Sequence, residues 1–375
     1  MRTAALRIAL ITTLVLTACT PQTPGSNEPP SSSVASSSKS SITYIPSTTS
    51  TPSVVAEGLR IPWSIAFLPS GDLLVTERPG TLRRIGKDGK TYTINGVRHV
   101  GEGGLLGIAL HPSFEQNDWL YLYLTVQGGS GLRNLVERYR LQGDALTERT
   151  EILTGIPGSQ FHDGGALAFG PDGYLYVTTG DAGESSRAQD RNSLAGKILR
   201  IAENGSIPED NPFGNAVYSY GHRNPQGITW DDQGRLWSTE HGRSGASSGL
   251  DELNLIEKGK NYGWPVIQGD DRQEGMQPPA LHSGPSVTWA PASAQYRDGS
   301  VFFGGLRGEA LYEAVLSSGS EEVRLITHFS EQLGRIRAVA LGPDGFLYIT
   351  TSNTDGRGSA KRGDDKVIKI DPDLL

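Results

Sequence analysis

The chain has 375 residues, of which 48 are glycine and 22 are proline, and 36% of the residues are apolar. This length allows one large domain or two ordinary ones, and the composition favours a turn-rich β protein over a helical one. The formal net charge of −7 argues against nucleic-acid binding, because an acidic surface repels phosphates.

Residues 1–18 have the features of a secretory signal peptide. Arg2 and Arg7 supply a positive start, and the apolar stretch from Ile8 to Leu16 is too short to span a bilayer. The segment ends in Leu-Thr-Ala before Cys19, the only cysteine of the chain, and so resembles a bacterial lipoprotein signal that leaves Cys19 for acylation. We therefore expect an extracytoplasmic protein, periplasmic or on the cell surface, that is anchored to a membrane only by lipid. A secreted protein with a free cysteine is the alternative.

The next segment is dominated by serine, threonine and proline. Residues 20–52 contain few apolar side chains that could be buried. Such a segment cannot recover the entropy lost on ordering. We predict that residues 19–52 form a disordered tether and that the globular body spans residues 53–375.

A turn followed by an alternating strand recurs along this body. The clear copies are PSGDLLVTE (69–77), PDGYLYVTT (171–179), DQGRLWSTE (232–240) and PDGFLYITT (343–351), and the weaker ones are QNDWLYLY (116–123) and RDGSVFF (297–303). The copies are about 45 to 65 residues apart, which is the spacing of propeller blades. The pattern predicts an all-β fold, a six-bladed β-propeller with four-stranded antiparallel blades. Two β-sandwiches, the alternative, would need two unrelated sets of strands.

Loops from all blades of a propeller converge at one mouth of its central channel, so polar residues beside the repeated strands are candidates for a shared site. His162 precedes the third repeat and Asp181 follows it. Asp181 could accept a hydrogen bond from one ring nitrogen of His162 and leave the other as a base. Gly164 and Gly165 would leave room for a flat ligand. A loop histidine without a catalytic role is the alternative.

A second polar cluster precedes the fourth repeat. In GHRNPQG (221–227), Arg223 and Asn224 offer a guanidinium and an amide, which suit carboxylates and carbonyls. Together with other motifs, this cluster resembles the soluble glucose and aldose sugar dehydrogenases that depend on pyrroloquinoline quinone (PQQ). The other motifs are PWSIAFLPSG (62–71), GEGGLLGIALHP (101–112), the His162 segment, DELNLI (251–256), NYGWP (261–265) and GRIRAV (334–339). The resemblance covers nearly all of residues 53–375, in order.

The resemblance implies an oxidoreductase that converts the anomeric hydroxyl of an aldose to the lactone and passes hydride to PQQ. His162 matches the family's general base, and Asp181 matches the acid that orients it. Arg223 and Asn224 match contacts to the quinone oxygens. Further cofactor contacts are implied at Arg335, Arg337 and, with a weaker match, Arg307. PQQ is a planar tricarboxylate, so an acidic protein needs a local group of arginines to bind it.

The resemblance also implies two calcium ions, whose preferred ligands are oxygens. The cation beside PQQ would take main-chain carbonyls at about Gly242 and Arg243. A second calcium would use positions matching Glu252 and Tyr262.

Some residues near the cofactor depart from the family pattern. Glu102 and His241 stand where glutamine is usual, and the segment 286–289, SVTW, matches the family's aromatic cover of PQQ only loosely. The natural sugar and the electron acceptor are therefore left open. The alternatives to a sugar dehydrogenase are a non-catalytic surface propeller that binds a glycan or a protein, and a calcium-dependent lactonase, which would not need the arginines.

Overall fold

The structure is a computed structural model, and it describes residues 50–245, 248–317 and 322–375. The predicted signal peptide, Cys19 and most of the predicted tether lie outside the described residues. No helix within the described residues is long and apolar enough to cross a membrane.

The described chain forms six four-stranded sheets, and every neighbouring pair of strands is antiparallel. The prediction of a six-bladed propeller is therefore confirmed. Blade A consists of β2 (Pro62–Phe67), β3 (Leu73–Glu77), β4 (Thr81–Ile85) and β5 (Lys90–Thr93). Blade B consists of β6 (Leu105–Leu110), β7 (Trp119–Gly128), β8 (Gly131–Gln142) and β9 (Ala145–Pro157). Blade C consists of β10 (Leu167–Phe169), β11 (Leu175–Thr179), β12 (Lys197–Ile201) and β13 (Val217–Tyr220). Blade D consists of β14 (Pro225–Trp230), β15 (Leu236–Glu240), β16 (Glu252–Ile256) and β17 (Leu281–His282). Blade E consists of β18 (Pro291–Arg297), β19 (Ser300–Gly305), β20 (Ala310–Leu316) and β21 (Val323–His328). Blade F consists of β22 (Ile336–Leu341), β23 (Leu347–Thr351) and β24 (Val367–Ile370), with β1 (Ser53–Ala56) as the outer strand.

Blade F closes the ring with strands from both ends of the globular body. β1 pairs with β24 in an antiparallel register that begins at Ser53 and Lys369. This pairing joins the two ends of the globular body within one sheet and closes the ring of blades. The described chain also contains short helical segments at Phe114–Asn117, Ser185–Ala188 and Pro372–Leu374.

The recurring phrase in the sequence forms the first turn and the second strand of each blade. Strands β3, β11, β15 and β23 are buried at every position, because each blade packs between two others. In β3 and β15, a threonine near the end of the strand also bonds to the next blade. The hydroxyl of Thr76 donates to the carbonyl of Leu106 at 2.5 Å, and that of Thr239 donates to Ala292 at 2.5 Å. The repeat therefore predicts the second strand of each blade, and in blades A and D its threonine also connects that strand to the next blade.

The turns between first and second strands lie at one end of the ring. Glycine occupies the positive-φ position in five of them, for example Gly173 at 79° and Gly345 at 81°. The segments that precede the first strand and follow the second strand lie at the opposite end, which we call the mouth.

Candidate active site at the mouth of the propeller

The candidate residues occupy equivalent places in different blades. Each one stands just before the first strand of a blade, near its start, or just after the second strand, and therefore lies at the mouth. The residues before or near the start of a first strand are Glu102, His162, Arg223, Asn224, Arg335 and Arg337, and those after a second strand are Arg78, Asp181, His241 and Arg357. The fold thus brings together side chains that are up to 279 residues apart in the sequence.

His162 and Asp181 form the first part of the site. Nδ1 of His162 lies 2.7 Å from Oδ1 of Asp181, as the spacing around the third repeat led us to expect. The indole N–H of Trp264 donates to Oδ2 of Asp181 at 2.9 Å. Although burial favours its neutral form, the pKa of Asp181 is lowered, because His162, the amide of Gly183 and Trp264 all bind the anion. An ionised Asp181 can hold the His162 ring through Nδ1, and Nε2 is the ring nitrogen that Asp181 does not bind.

Two glycines beside His162 are closely packed. We expected Gly164 and Gly165 to leave room for a flat ligand. A Cβ on Gly164 would meet Cα of Thr179 at 2.6 Å, and one on Gly165 would meet the side chain of Leu106 at 2.8 Å. These glycines therefore allow close packing of the His162 loop against blades B and C, and the room for a flat ligand beside them stays a prediction.

Glu102 contacts the same histidine through its main chain. Oε2 of Glu102 accepts the amide N–H of His162 at 3.0 Å, and Oε1 accepts a hydrogen bond from Arg357 at 2.9 Å. Burial opposes ionisation, yet the pKa of Glu102 is lowered to about 2, because His241, the His162 amide and Arg357 favour the anion. Glu102 is therefore a carboxylate at every ordinary pH.

Arginines with unused donors surround this pair. Arg223, Arg337 and Arg78 are each at most 6% exposed, and the Nε atom of each is buried without a hydrogen-bond partner in the described part of the chain. Burial, together with the positive charge of Arg78, lowers the pKa of Arg337 to about 9. Burial also lowers the pKa of Arg78 and Arg223. Buried guanidiniums with unused donors favour binding of an anionic ligand.

Sequence reasoning did not find Arg78. Its signal was available, because Arg78 directly follows the repeated strand PSGDLLVTE, at the place that His241 holds in blade D and one residue before the place of Asp181 in blade C. One of its terminal nitrogens donates to the carbonyl of Gly101, beside Glu102. Trp264 was present in a noted motif but received no role. Besides its bond to Asp181, its ring lies 5.3 Å from the guanidinium of Arg223.

Arg335 and Arg307 differ from the other arginines. The guanidinium of Arg335 already donates to Asp355 at 2.8 Å and to the carbonyl of Leu306 at 2.8 Å, so its donors are largely used. Arg307 is exposed on the loop after β19. Both remain at the mouth, and their predicted contacts with the cofactor stay predictions.

Asn224 and His241 have unused polar atoms on buried side chains. Oδ1 of Asn224 accepts the amide of Gly164 at 3.0 Å, whereas its Nδ2 has no partner among the described residues. Nε2 of His241 is also without a partner in the part of the chain that the structure describes. Burial lowers the pKa of His241 to about 3, so this ring is neutral near pH 7. Both groups can hydrogen-bond to a ligand without adding charge.

The loosely matching segment 286–289 has one aromatic side chain, Trp289. This side chain is 2% exposed and packs against Phe303 and Tyr312 in the core of blade E.

The predicted calcium positions are at the same end of blade D. The amide of Gly242 donates to Asp251 at 2.8 Å, and the carbonyl of Arg243 accepts from Gly249 at 3.3 Å. The hydroxyl of Tyr262 donates to the carbonyl of Leu255 at 2.6 Å and accepts the amide N–H of Glu257 at 2.8 Å, so its main-chain carbonyl is the better candidate to bind a metal. Among the described residues, no group of three or more histidine, cysteine, aspartate or glutamate side chains is placed to hold a metal ion.

The surroundings of Glu252 are nevertheless rich in oxygen. Glu252 and Glu240 are paired across neighbouring strands, and the amide of Asn254 bridges their carboxylates at 3.1 and 3.4 Å. Loss of hydration and the charge of Glu240 raise the pKa of Glu252 to about 8. The Oδ1 atom of Asn254 has no partner in the described chain. The carboxylate and amide oxygens around Glu252 suit a hard cation such as Ca²⁺.

Comparisons with known proteins show which family the chain resembles. A family model described as glucose/sorbosone dehydrogenase matches residues 59–360. The aldose sugar dehydrogenase of Escherichia coli K12 is 32% identical over 343 residues, which cover 81% of this chain and 90% of the relative. A solved structure of the PQQ-bound aldose sugar dehydrogenase of Streptomyces coelicolor is 39% identical, with a TM-score of 0.79 and coverage of 87% of this chain and 99% of that chain.

A second solved structure is similar over the same region. It is a candidate oxidoreductase (glucose dehydrogenase) from Thermus thermophilus, 45% identical, with a TM-score of 0.81 and coverage of 86% of this chain and 99% of that chain. The family model spans more than half of the chain, and the resemblance first found in the motifs is confirmed. The chain belongs to the glucose/sorbosone dehydrogenase family.

Proposed function

We propose that this chain is a PQQ-dependent dehydrogenase of aldose sugars. The observation that carries the proposal is the position of the His162–Asp181 pair beside buried arginines with unused donors. Relatives named aldose sugar dehydrogenase, one of them solved with PQQ, support it. A lactonase would not require this group of arginines, and a non-catalytic propeller would not require the histidine–aspartate pair.

The chain offers donors that suit PQQ. Arg78, Arg223 and Arg337 would bind its carboxylates and quinone oxygens, together with the amide of Asn224 and the ring of His241. Arg335 and Arg307 would add positive charge at the edge of the group. When bound, PQQ supplies an acceptor for the hydride that leaves C1 of the sugar.

The residues of the chain supply the proton chemistry. Nε2 of His162 takes the proton of the anomeric hydroxyl, while the C1–H bond breaks and a C1=O double bond forms. The aldose loses one hydride and one proton and becomes the lactone. Asp181 holds Nδ1 of the ring and stabilises the imidazolium that results. Arg223 would place its positive charge beside the acceptor and favour an acceptor that gains electrons.

Calcium and membrane attachment are further parts of the proposal. We propose Ca²⁺ at the carbonyls near Gly242 and Arg243, and at Glu252 and Tyr262; the oxygen-rich surroundings of Glu252 support the second site. We also propose that the protein works outside the cytoplasm, held to a bacterial membrane through Cys19. The motif at residues 16–19 supports this location.

Reconstitution tests the function. The purified protein, stripped of cofactor and metal, is titrated with PQQ with and without Ca²⁺ and is then given aldoses and an artificial electron acceptor. We expect saturable uptake of PQQ and sugar-dependent reduction of the acceptor only with PQQ. Absence of PQQ uptake would favour a non-catalytic propeller, and lactone hydrolysis without PQQ would favour a lactonase; either result would overturn the proposal.

A further inference from the structure

A polar connection crosses the mouth between two loops that are distant in sequence. Glu102 lies before β6 of blade B, and Arg357 follows β23 of blade F, so blade A separates their two blades. Nη1 of Arg357 donates to Oε1 of Glu102 at 2.9 Å across 255 residues of sequence. The other oxygen of Glu102 accepts the amide of His162 at 3.0 Å. One carboxylate thus joins a loop of blade F to the loop that carries His162.

The loop of His162 has a reason to need such support. His162 has a φ of 59°, in the left-handed region that residues other than glycine seldom adopt. Its amide is held by a charged acceptor, which makes a stronger hydrogen bond than a neutral one. The amide of Glu102 also donates to the carbonyl of Gln160 at 2.9 Å, so the two loops bind each other in both directions.

The other end of the connection is anchored as well. The amide of Arg357 donates to Oδ1 of Asp355 at 2.9 Å, and Oδ2 of Asp355 accepts from Arg335 at 2.8 Å. Arg335 is 6% exposed. Although the side chain of Arg357 is 54% exposed, its main chain is therefore tied to a buried group. The ion pair is held at both ends by loops that are themselves fixed.

We propose that Glu102 and Arg357 are positioning residues for His162. Glu102 holds the amide of His162, and Arg357 holds the Glu102 carboxylate in the orientation that this requires. The inference rests on the proposed function, because it takes His162 as the base. The side chain of Arg357 is exposed, and Glu102 keeps the hydrogen bond from the His162 amide without it, so removal of Arg357 should leave the fold intact while the base is less well held.

The central test compares Arg357→Gln with the wild-type protein. We expect kcat to fall about tenfold, with the Kd for PQQ within about twofold of the wild-type value, because a misplaced base slows chemistry without removing a contact to the cofactor. Glu102→Gln, which keeps an acceptor for the His162 amide but loses the ion pair, should behave like Arg357→Gln. The double variant should be no worse than either single variant, as expected for two residues that act through one interaction.

A second measurement does not depend on activity. Hydrogen exchange of the segment 159–164 in the protein without PQQ should be several-fold faster in Arg357→Gln than in the wild type. Arg140→Gln is the matched control, since Arg140 forms a similar ion pair at 2.7 Å with Glu148 on the outer strands of blade B. That variant should change neither kcat nor exchange in the segment 159–164.

The outcomes separate this inference from the proposed function. If the wild type shows no PQQ-dependent activity, the proposed function fails, and the exchange measurement still tests the connection. If the wild type is active and Arg357→Gln equals it in kcat and exchange, the positioning role is wrong. A large loss of PQQ affinity with unchanged kcat would also overturn it, because Arg357 would then act on the cofactor and not on the base.

Discussion

The two oxygens of Asp181 bind two different rings: Oδ1 lies 2.7 Å from Nδ1 of His162, and Oδ2 accepts the indole N–H of Trp264 at 2.9 Å. Asp181 follows the second strand of blade C, His162 precedes the first strand of the same blade, and Trp264 comes from the long connection that follows β16 of blade D. The orientation of the imidazole is therefore determined jointly by two blades.

Replacement of His162 by alanine should remove the base. We expect His162→Ala to lower kcat by at least about 10²-fold, the usual scale for loss of a general base. The affinity for PQQ should change little, because the arginines remain. Steady-state kinetics with an aldose and titration with PQQ measure the two quantities. A His162→Ala protein with wild-type turnover would contradict the assigned role.

Trp264→Phe tests the orientation of Asp181. The phenyl ring keeps an aromatic face near Arg223 but loses the N–H that binds Oδ2 of Asp181. We expect kcat to fall about tenfold, less than in Asp181→Asn, where the partner of Nδ1 loses its charge. An equal kcat for Trp264→Phe and the wild type would show that the indole N–H is not needed.

Arg78→Gln and Arg337→Gln test the anion-binding group. Each removes one buried positive charge that we expect to face a carboxylate or quinone oxygen of PQQ, so each should raise the Kd at least about tenfold. Fluorescence or absorbance titration of the apo-protein gives the Kd. Arg235→Gln serves as the control, because Arg235 lies after the turn at the other end of blade D, 5.7 Å from the ring of Trp237. If Arg235→Gln weakened binding equally, the effect would be non-specific.

Asp163→Asn should change the pH dependence of stability. Burial raises the pKa of Asp163 to about 6 against 3.8 for the unperturbed group, although Asn134 and Ser159 bind its anion. The folded protein thus holds this proton more tightly than the unfolded chain. This group's contribution to the free energy of unfolding therefore falls by up to about 3 kcal/mol as the pH rises from about 4 to about 6.

In Asp163→Asn that fall should be absent. The free energy of unfolding, measured with urea at several pH values between 4 and 8, gives the slope. Asp298→Asn, at an exposed acid in the turn between β18 and β19, should keep the wild-type slope. An unchanged slope in Asp163→Asn would show that Asp163 is ionised throughout this range.

The number of blades could be predicted from the sequence because each copy of the repeat is a short local segment. A phrase such as PDGYLYVTT contains both the turn residues and the alternating strand, and its repetition predicted six blades. The closure by β1 was not predicted, because no local feature of Ser53–Ala56 indicates its pairing with β24. The contact of His162 with Asp181 was expected from their places on either side of one hairpin. Arg78 was missed although it directly follows a repeated strand, and Trp264 was missed because nothing near it in the sequence indicates its contact with Asp181.

The predicted metal ligands show the limit of inference from motifs. The positions of Glu252 and Tyr262 came from the resemblance alone, and the structure shows that the Tyr262 hydroxyl is already used within blade D. The oxygen-rich contact of Glu252 with Glu240 became visible only through the pairing of β15 with β16. The predicted signal peptide and lipid anchor stay predictions.

The order of residues along the chain determined the number of blades, the family and most of the candidate site residues, because turn residues and strand alternation act over a few neighbouring positions. Closure of the ring alone decided which donors remain unused, which carboxylate holds the His162 amide, and which guanidiniums lie close to one another. Those properties depend on distance and on exclusion of water between blades, and residues such as Glu102 and Arg357 meet only when all six blades are in place.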